Sequence, residues 1–195
     1  GPFMVMDLTR GNLLNAHCGD LMRAAPTGTP WFTPPPVFRT QGTTPWHRKG
    51  EPTRAPCAPE VASQIRDRIL AVLLARTAFV VEQGICDAGD LDWMTRNALG
   101  FSPGLLDLTE RLGADEVHRV CSAYAAAQAG FEVPRSIREK RLVRFHRNLV
   151  VERDGELAVV SIRRPEVRNA LSERTVQELS EAFAALEADP AVKGI

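Results

Sequence analysis

The run from Ile69 to Val81 constrains this chain more than any other segment, because Arg76 and Thr77 are its only polar side chains. It is too short to span a bilayer and carries a charge, so it reads as the middle of a soluble helix. Extended in both directions it predicts a helix from Ala58 to Gly84, about 40 Å long at 1.5 Å per residue. A helix that is apolar nearly all round must be covered on several sides, by other helices or by a second subunit. The following residues supply helices: Asp87 to Leu99, Pro103 to Leu112 closed by Gly113, and Asp115 to Ala129 closed by Gly130. Short connections between them predict a compact bundle.

Before this bundle, residues 4–24 predict a helix with Leu13, Leu14, His17, Leu21 and Met22 on one apolar stripe. From Pro26 to Pro59 the chain carries most of its fourteen prolines, among them Pro34-Pro35-Pro36, together with Trp31, Phe32, Phe38 and Trp46. Proline fixes φ and removes an amide donor, so this stretch is expected to be extended or turn-rich and not helical. Its aromatic residues are costly to leave in water, which predicts a strap laid along a helical surface; a free linker and a proline-rich ligand for another domain are the other readings. The resulting division is residues 1–24 (N-terminal helix), 25–57 (strap), 58–134 (helical domain), 135–147 (basic connecting helix) and 148–195. Gly1-Pro2 fits the remnant of a cleaved affinity tag, with Phe3-Met4 vector-derived.

The last part has a different grammar. Val150, Leu157, Val159 and Ile162 lie in two β-branched runs around Asp154-Gly155, the pattern of a hairpin. Ser172 can cap a helix in which Val176, Leu179, Phe183 and Leu186 recur at helical spacing until Asp189-Pro190. Val192 to Ile195 reads as the start of a third strand.

Composition and spacing exclude several chemistries. Lys and Arg together number 24, equal to Asp and Glu, so no global field favours nucleic acid or a membrane surface. Cys18, Cys57, Cys86 and Cys121 have no paired spacing, which fits reduced thiols in a cytoplasmic protein and neither a disulfide frame nor a zinc site. Asp87, Asp90 and Asp92 lack the ligand spacing of a calcium loop and suit a helix N-terminus. His17 and Cys18 are adjacent and point in different directions on a helix, so they make no nucleophile pair; His118 reads as a packing residue. No metal site is expected. The basic run Arg135, Arg138, Lys140, Arg141, Arg144, His146 and Arg147 is either a phosphate-attracting patch or the solvated face of a connecting helix with Ile137, Leu142 and Phe145 inward.

Arg164, Pro165, Asn169, Ala170 and Leu171 after the hairpin, with Asp189-Pro190 closing the helix, resemble the opening of the crotonase (enoyl-CoA hydratase/isomerase) family. The resemblance implies an α/β domain, here begun but incomplete, and a coenzyme A thioester as substrate of the parent enzyme. It implies coenzyme A contact at Val167 and Arg168; solvation of a strand end by Arg163, Arg164 and Arg168 is the plainer alternative. No catalytic residue is assigned, since that family's oxyanion loops and acid/base carboxylates come later than the segment matched.

A second resemblance covers roughly residues 60–115. Ile69-Leu70, Glu82-Gln83-Gly84, Asp90-Leu91-Asp92, Leu99-Gly100, Pro103-Gly104 and Leu112-Gly113 are similar in order and spacing to the C-terminal helical domain of 3-hydroxyacyl-CoA dehydrogenases. Asp67 stands where that family carries an asparagine near its ligands, and an ionised carboxylate only accepts hydrogen bonds. No Gly-x-Gly-x-x-Gly turn precedes it to hold NAD. The expected fold is mainly α, a bundle of this type followed by a β-hairpin and helix. The expected function is that of a fragment of an acyl-CoA enzyme, itself inactive, with a homo-oligomer formed through the helical domain. The alternative is a non-catalytic helical dimerisation or docking module.

Overall fold

The structure, a computed structural model, describes residues 6–8, 11–25, 34–47 and 57–195. In chain order its elements are α1 (Asn12–Ala24), α2 (Val37–Gln41), α3 (Pro59–Glu82), α4 (Ala88–Asn97), α5 (Leu105–Leu112), α6 (Ala114–Ala127), α7 (Arg135–Arg138), β1 (Leu149–Asp154), β2 (Leu157–Ile162) and α8 (Glu173–Glu187). This is the mainly α architecture with a terminal hairpin and helix that the sequence predicts. The chain divides into two compact units, Gly1–Val72 with Arg119–Val133, and Leu73–His118 with Pro134–Ile195.

In the first unit the helix expected over residues 4–24 is interrupted: residues 6–8 are helical, and Gly11 forms the turn from which α1 starts. The predicted apolar stripe is not the buried one. Leu13, Leu14, Leu21 and Met22 face solvent, whereas Asn12, Ala16 and Gly19 are buried. The reason lies in the partner, since α2 packs on α1 and the Trp46 indole N–H donates to Asn12 Oδ1 at 2.7 Å. Small side chains and one acceptor suit that approach better than leucines do. Arg39 pairs with Asp20. Asp7 accepts the backbone N–H groups of Trp46 at 2.6 Å and His47 at 2.9 Å, and lies 2.7 Å from His47 Nδ1. The proline stretch contains a helix after all: Pro36 immediately precedes α2, where the first helical turn has no need of a proline N–H. Trp31, Phe32 and the expected tag remnant lie outside the described residues.

The same unit closes where Ala71 meets Cys121, both fully buried, with the thiol donating to the Ala71 carbonyl at 3.7 Å. Phe131 stacks edge-on against Tyr124 with ring centroids 4.8 Å apart. Along α3 the buried positions are Ala71, Leu74, Ala75 and Ala78, an i, i+3, i+4, i+7 face. Within the run Ile69 to Val81 every residue except Ile69 and Phe79 is buried or half-buried; Val61 and Ile65, ahead of the run, and Ile69 at its start are about half exposed, at 47%, 51% and 55%. Three alanines on the covered face admit close neighbours, and the bulkier side chains fall on the flank.

In the second unit, α3 ends as the sequence predicts, with Gly84 at φ 63°. Ile85 N–H reaches Val80 O at 3.1 Å and Gly84 N–H reaches Val81 O at 3.0 Å, the paired bonds of a Schellman stop. Ala88, Leu91 and Leu106 form a core flanked by Val80, Val81, Cys86, Val143 and Phe145. The basic stretch 135–147 is not one helix. Only Arg135–Arg138 is helical; Lys140 then takes φ 54°, with Arg141 N–H bonded to Ser136 O at 2.8 Å, and the chain leaves without regular structure until β1. Ile137 is buried as expected, but Leu142 is exposed and Phe145 half-buried.

The hairpin pairs Leu149 with Ile162 and Asp154 with Leu157, so Asp154 belongs to the strand and the two-residue turn is Gly155-Glu156. Gly155 has φ 60°, as the first position of a type II′ turn requires. Against the strands α8 buries Thr175, Glu178, Ala182 and Leu186, whereas Val176 and Phe183, expected inward, are exposed. Glu178 explains the rotation. Its carboxylate accepts Asn148 N–H at 2.8 Å, Arg147 N–H at 3.2 Å and Arg174 Nε–H at 3.0 Å, so a polar anchor and not the apolar stripe sets the helix face. Gly194 forms a parallel bridge with Leu157, placing Val192–Ile195 beside β2 where a third strand is predicted to begin.

Candidate functional site

Between β2 and α8 the chain makes a tight loop. Pro165–Val167 is a single 3-10 turn that begins with the fixed φ of proline, and it is followed by two left-handed residues, Arg168 (φ 53°, ψ 39°) and Asn169 (φ 58°). Left-handed backbone is unfavourable for a side chain as large as arginine, so the surrounding bonds must hold it there. Arg164 N–H donates to Asn169 Oδ1 at 2.8 Å, and Asn169 N–H donates back to Arg164 O at 2.9 Å. The Arg164 guanidinium donates to the Ala170 carbonyl. Beyond the loop Ser172 caps α8, accepting Thr175 N–H at 3.3 Å.

The structure separates the three arginines that the sequence leaves equivalent. Arg163 is committed to the fold: it pairs with Asp90, lies over the Trp93 ring at 5.6 Å, and donates its backbone N–H to Asn148 O. Arg164 is committed to its own loop. Arg168 is exposed and makes no ion pair or side-chain hydrogen bond with a described residue, and Val167 beside it is 42% exposed. An exposed guanidinium on a fixed loop is suited to a phosphate or carboxylate ligand.

The other sequence candidates are structural. Asp67 bonds Arg119 at 2.8 Å and Arg66 at 3.1 Å, and the Arg119 guanidinium chiefly holds its carboxyl below the usual aspartate value. It is therefore an ionised, paired acceptor. Asp87 caps α4 through Gly89 N–H at 2.8 Å, as a helix N-terminus would use it. Asp92 does something the sequence reading missed: it is fully buried and accepts Leu106 N–H at 3.0 Å and Asp107 N–H at 2.9 Å, closing the next helix. Arg96 Nε lies 3.2 Å from its second oxygen but without hydrogen-bond geometry. Gly104 is required there, because a Cβ would stand 2.3 Å from the Asp92 carboxylate.

The basic run is largely neutralised. Arg135 and Arg141 pair with Glu139, Lys140 with Asp115, and Arg147 with buried Asp107, which also takes Arg111 at 2.9 Å. His17 and Cys18 are both exposed on α1. His47, which no motif singles out, pairs with Asp7 forty residues away. Among the described residues no cluster of His, Cys, Asp or Glu could hold a metal ion, and no helix is long and apolar enough to cross a membrane.

Comparison with known families agrees with the order of these segments. Residues 65–149 match the family described as 3-hydroxyacyl-CoA dehydrogenase, C-terminal domain, and residues 152–195 match enoyl-CoA hydratase/isomerase. A helical segment similar to the dehydrogenase domain thus precedes a hairpin-and-helix segment similar to the crotonases. No curated protein and no solved structure matches it.

Proposed function

We propose that this chain is part of an acyl-CoA enzyme of the enoyl-CoA hydratase/isomerase lineage, in which the loop after β2 meets coenzyme A through Val167 and Arg168. The observation that carries this reading is the Arg168 guanidinium, without a side-chain partner among the described residues and carried on a left-handed backbone within the segment that matches the crotonase family. Arg168 supplies a fixed positive charge for a phosphate group, and Val167 an apolar shoulder beside it. The helical segment acts as a scaffold: its Asp67 is paired, and of its buried carboxylates Asp92 closes a helix and Asp107 pairs with Arg111 and Arg147 instead of facing a ligand.

The test is calorimetric titration of the chain with coenzyme A. Saturable binding that weakens about tenfold in Arg168→Ala is expected, the size of one charge-assisted contact. Absence of binding, or binding indifferent to Arg168, sinks the reading.

A homo-oligomer formed through the helical segment is a second reading, favoured by Val61, Ile65 and Ile69, which form an exposed i, i+4, i+8 row on α3. Sedimentation should then give a mass above the monomer that drops in Ile65→Glu. A monomer at all concentrations excludes it.

A further inference from the structure

We infer that Asn169 is the positioning residue of the Val167–Arg168 loop, fixing the conformation in which Arg168 meets an anionic ligand; this rests on the coenzyme A reading. Two independent demands meet at this position. Its backbone is left-handed (φ 58°), a region that Asn and Asp enter more readily than other side chains. Its side-chain oxygen accepts the Arg164 N–H at 2.8 Å while its own N–H returns to Arg164 O at 2.9 Å. These reciprocal bonds close the loop at its neck. Val167 N–H bonds to Arg164 O and Arg168 N–H to Pro165 O, both at 3.1 Å, so the turn inside the neck is also closed by its own backbone. Asn169 is exposed and touches no core residue through these bonds, which fits a role in shaping the loop more than in holding the unit together. Arg168 itself, with no side-chain partner among the described residues, relies on that neck for its direction.

Aspartate and alanine separate the two demands from general damage. Asn169→Asp keeps an acceptor and tolerates the left-handed backbone; Asn169→Ala loses the acceptor and disfavours the conformation. The experiment measures coenzyme A affinity of the chain by calorimetry together with amide-exchange protection at Arg164. The expected result is that Asn169→Ala weakens coenzyme A about tenfold, as Arg168→Ala does, and exposes the Arg164 amide, while Asn169→Asp, whose added charge itself opposes a phosphate, restores the Arg164 amide protection. Protection of the β1 and β2 amides should stay unchanged in all variants, which distinguishes a loosened loop from an unfolded one. Unaltered affinity in Asn169→Ala overturns the inference and leaves the coenzyme A reading standing. Lost affinity with the Arg164 amide still protected overturns the neck as its cause. If the unaltered chain binds no coenzyme A, the reading fails and the inference fails with it.

Discussion

Asp92 in the second unit and Asp7 in the first perform the same operation under opposite conditions. Each carboxylate accepts two backbone N–H groups from a segment far along the chain, Asp92 from Leu106 and Asp107, Asp7 from Trp46 and His47. Asp92 has a side chain 1% exposed and sits among α4, α5 and their core; Asp7 is 14% exposed and ties down the Trp46–His47 backbone. In a buried site the bonds are stronger and an unmatched donor cannot turn to water, so removal is costly. Near solvent, water replaces what is lost. The same sequence device therefore specifies a core in one unit and a latch in the other.

The largest expected effect follows from removing the buried member. Asp92→Ala leaves two helix N–H groups without acceptors and Arg96 beside a vacated carboxylate, and should cost about 3–5 kcal/mol in urea unfolding. Asp92→Asn keeps one acceptor oxygen and should cost about 1–2 kcal/mol. A loss below about 1 kcal/mol for Asp92→Ala would show that α5 needs no closure from α4, and the contrast with Asp7 would collapse.

Glu178 sharpens the comparison because it is buried like Asp92 but anchors a strand. Glu178→Gln removes the charge shared by Arg174 Nε and the amides of Arg147 and Asn148. It should cost about 1–2 kcal/mol and selectively lower amide protection at Arg147 and Asn148. Uniform loss of protection across α8 would instead mean that the whole helix depends on this one carboxylate.

These anchors mark what the sequence could and could not disclose. Gly84 and Gly113 stop helices as expected, since positive φ is a local demand of the backbone, whereas α6 ends at Ala127, three residues before Gly130. The hairpin is legible from its alternation and its glycine, although the Asp-Gly pair points to Asp154 as a turn residue and it belongs to the strand. The stripe on α1 misleads and that on α8 holds only at Leu186 and half-buried Leu179, because periodicity records which residues are apolar and not which face a polar anchor turns inward. Asn12 and Glu178 set those faces through partners 34 and 30 residues away. Likewise Asp92 and Glu82 are ordinary acidic residues in a helix until the segments they close are known. At the candidate site, no local rule separates Arg168 from Arg163 and Arg164. The resemblance selected it, and only three-dimensional contacts, Asp90 and Trp93 for one neighbour and Ala170 for the other, show why those two are occupied.

An acid titration compares a half-buried anchor, Asp7, with an exposed one, Glu82, and carries the smallest expected effect. In Asp7 burial pushes the carboxyl up, but the Trp46 and His47 N–H bonds outweigh it, so its value lies below the ordinary 3.8. In Glu82 burial again acts upward and is outweighed by bonds from Ser136 and the Arg135 N–H, with Arg138 nearby, leaving it below the ordinary 4.5. Both groups therefore hold fewer protons folded than unfolded. Their contribution is fully present above the unfolded values and disappears as pH falls through the lower folded ones. Protection factors at Trp46 and His47, and at Arg135 and Ser136, should accordingly hold at neutral pH and fall only in acid, as pH drops below the ordinary carboxylate values. Asp7→Asn should lower protection at Trp46 and His47 already at neutral pH while leaving Leu106 and Asp107 untouched. If Trp46 and His47 stay protected in that variant, the Asn12–Trp46 bond and not Asp7 holds that segment, and the parallel between the two carboxylates fails.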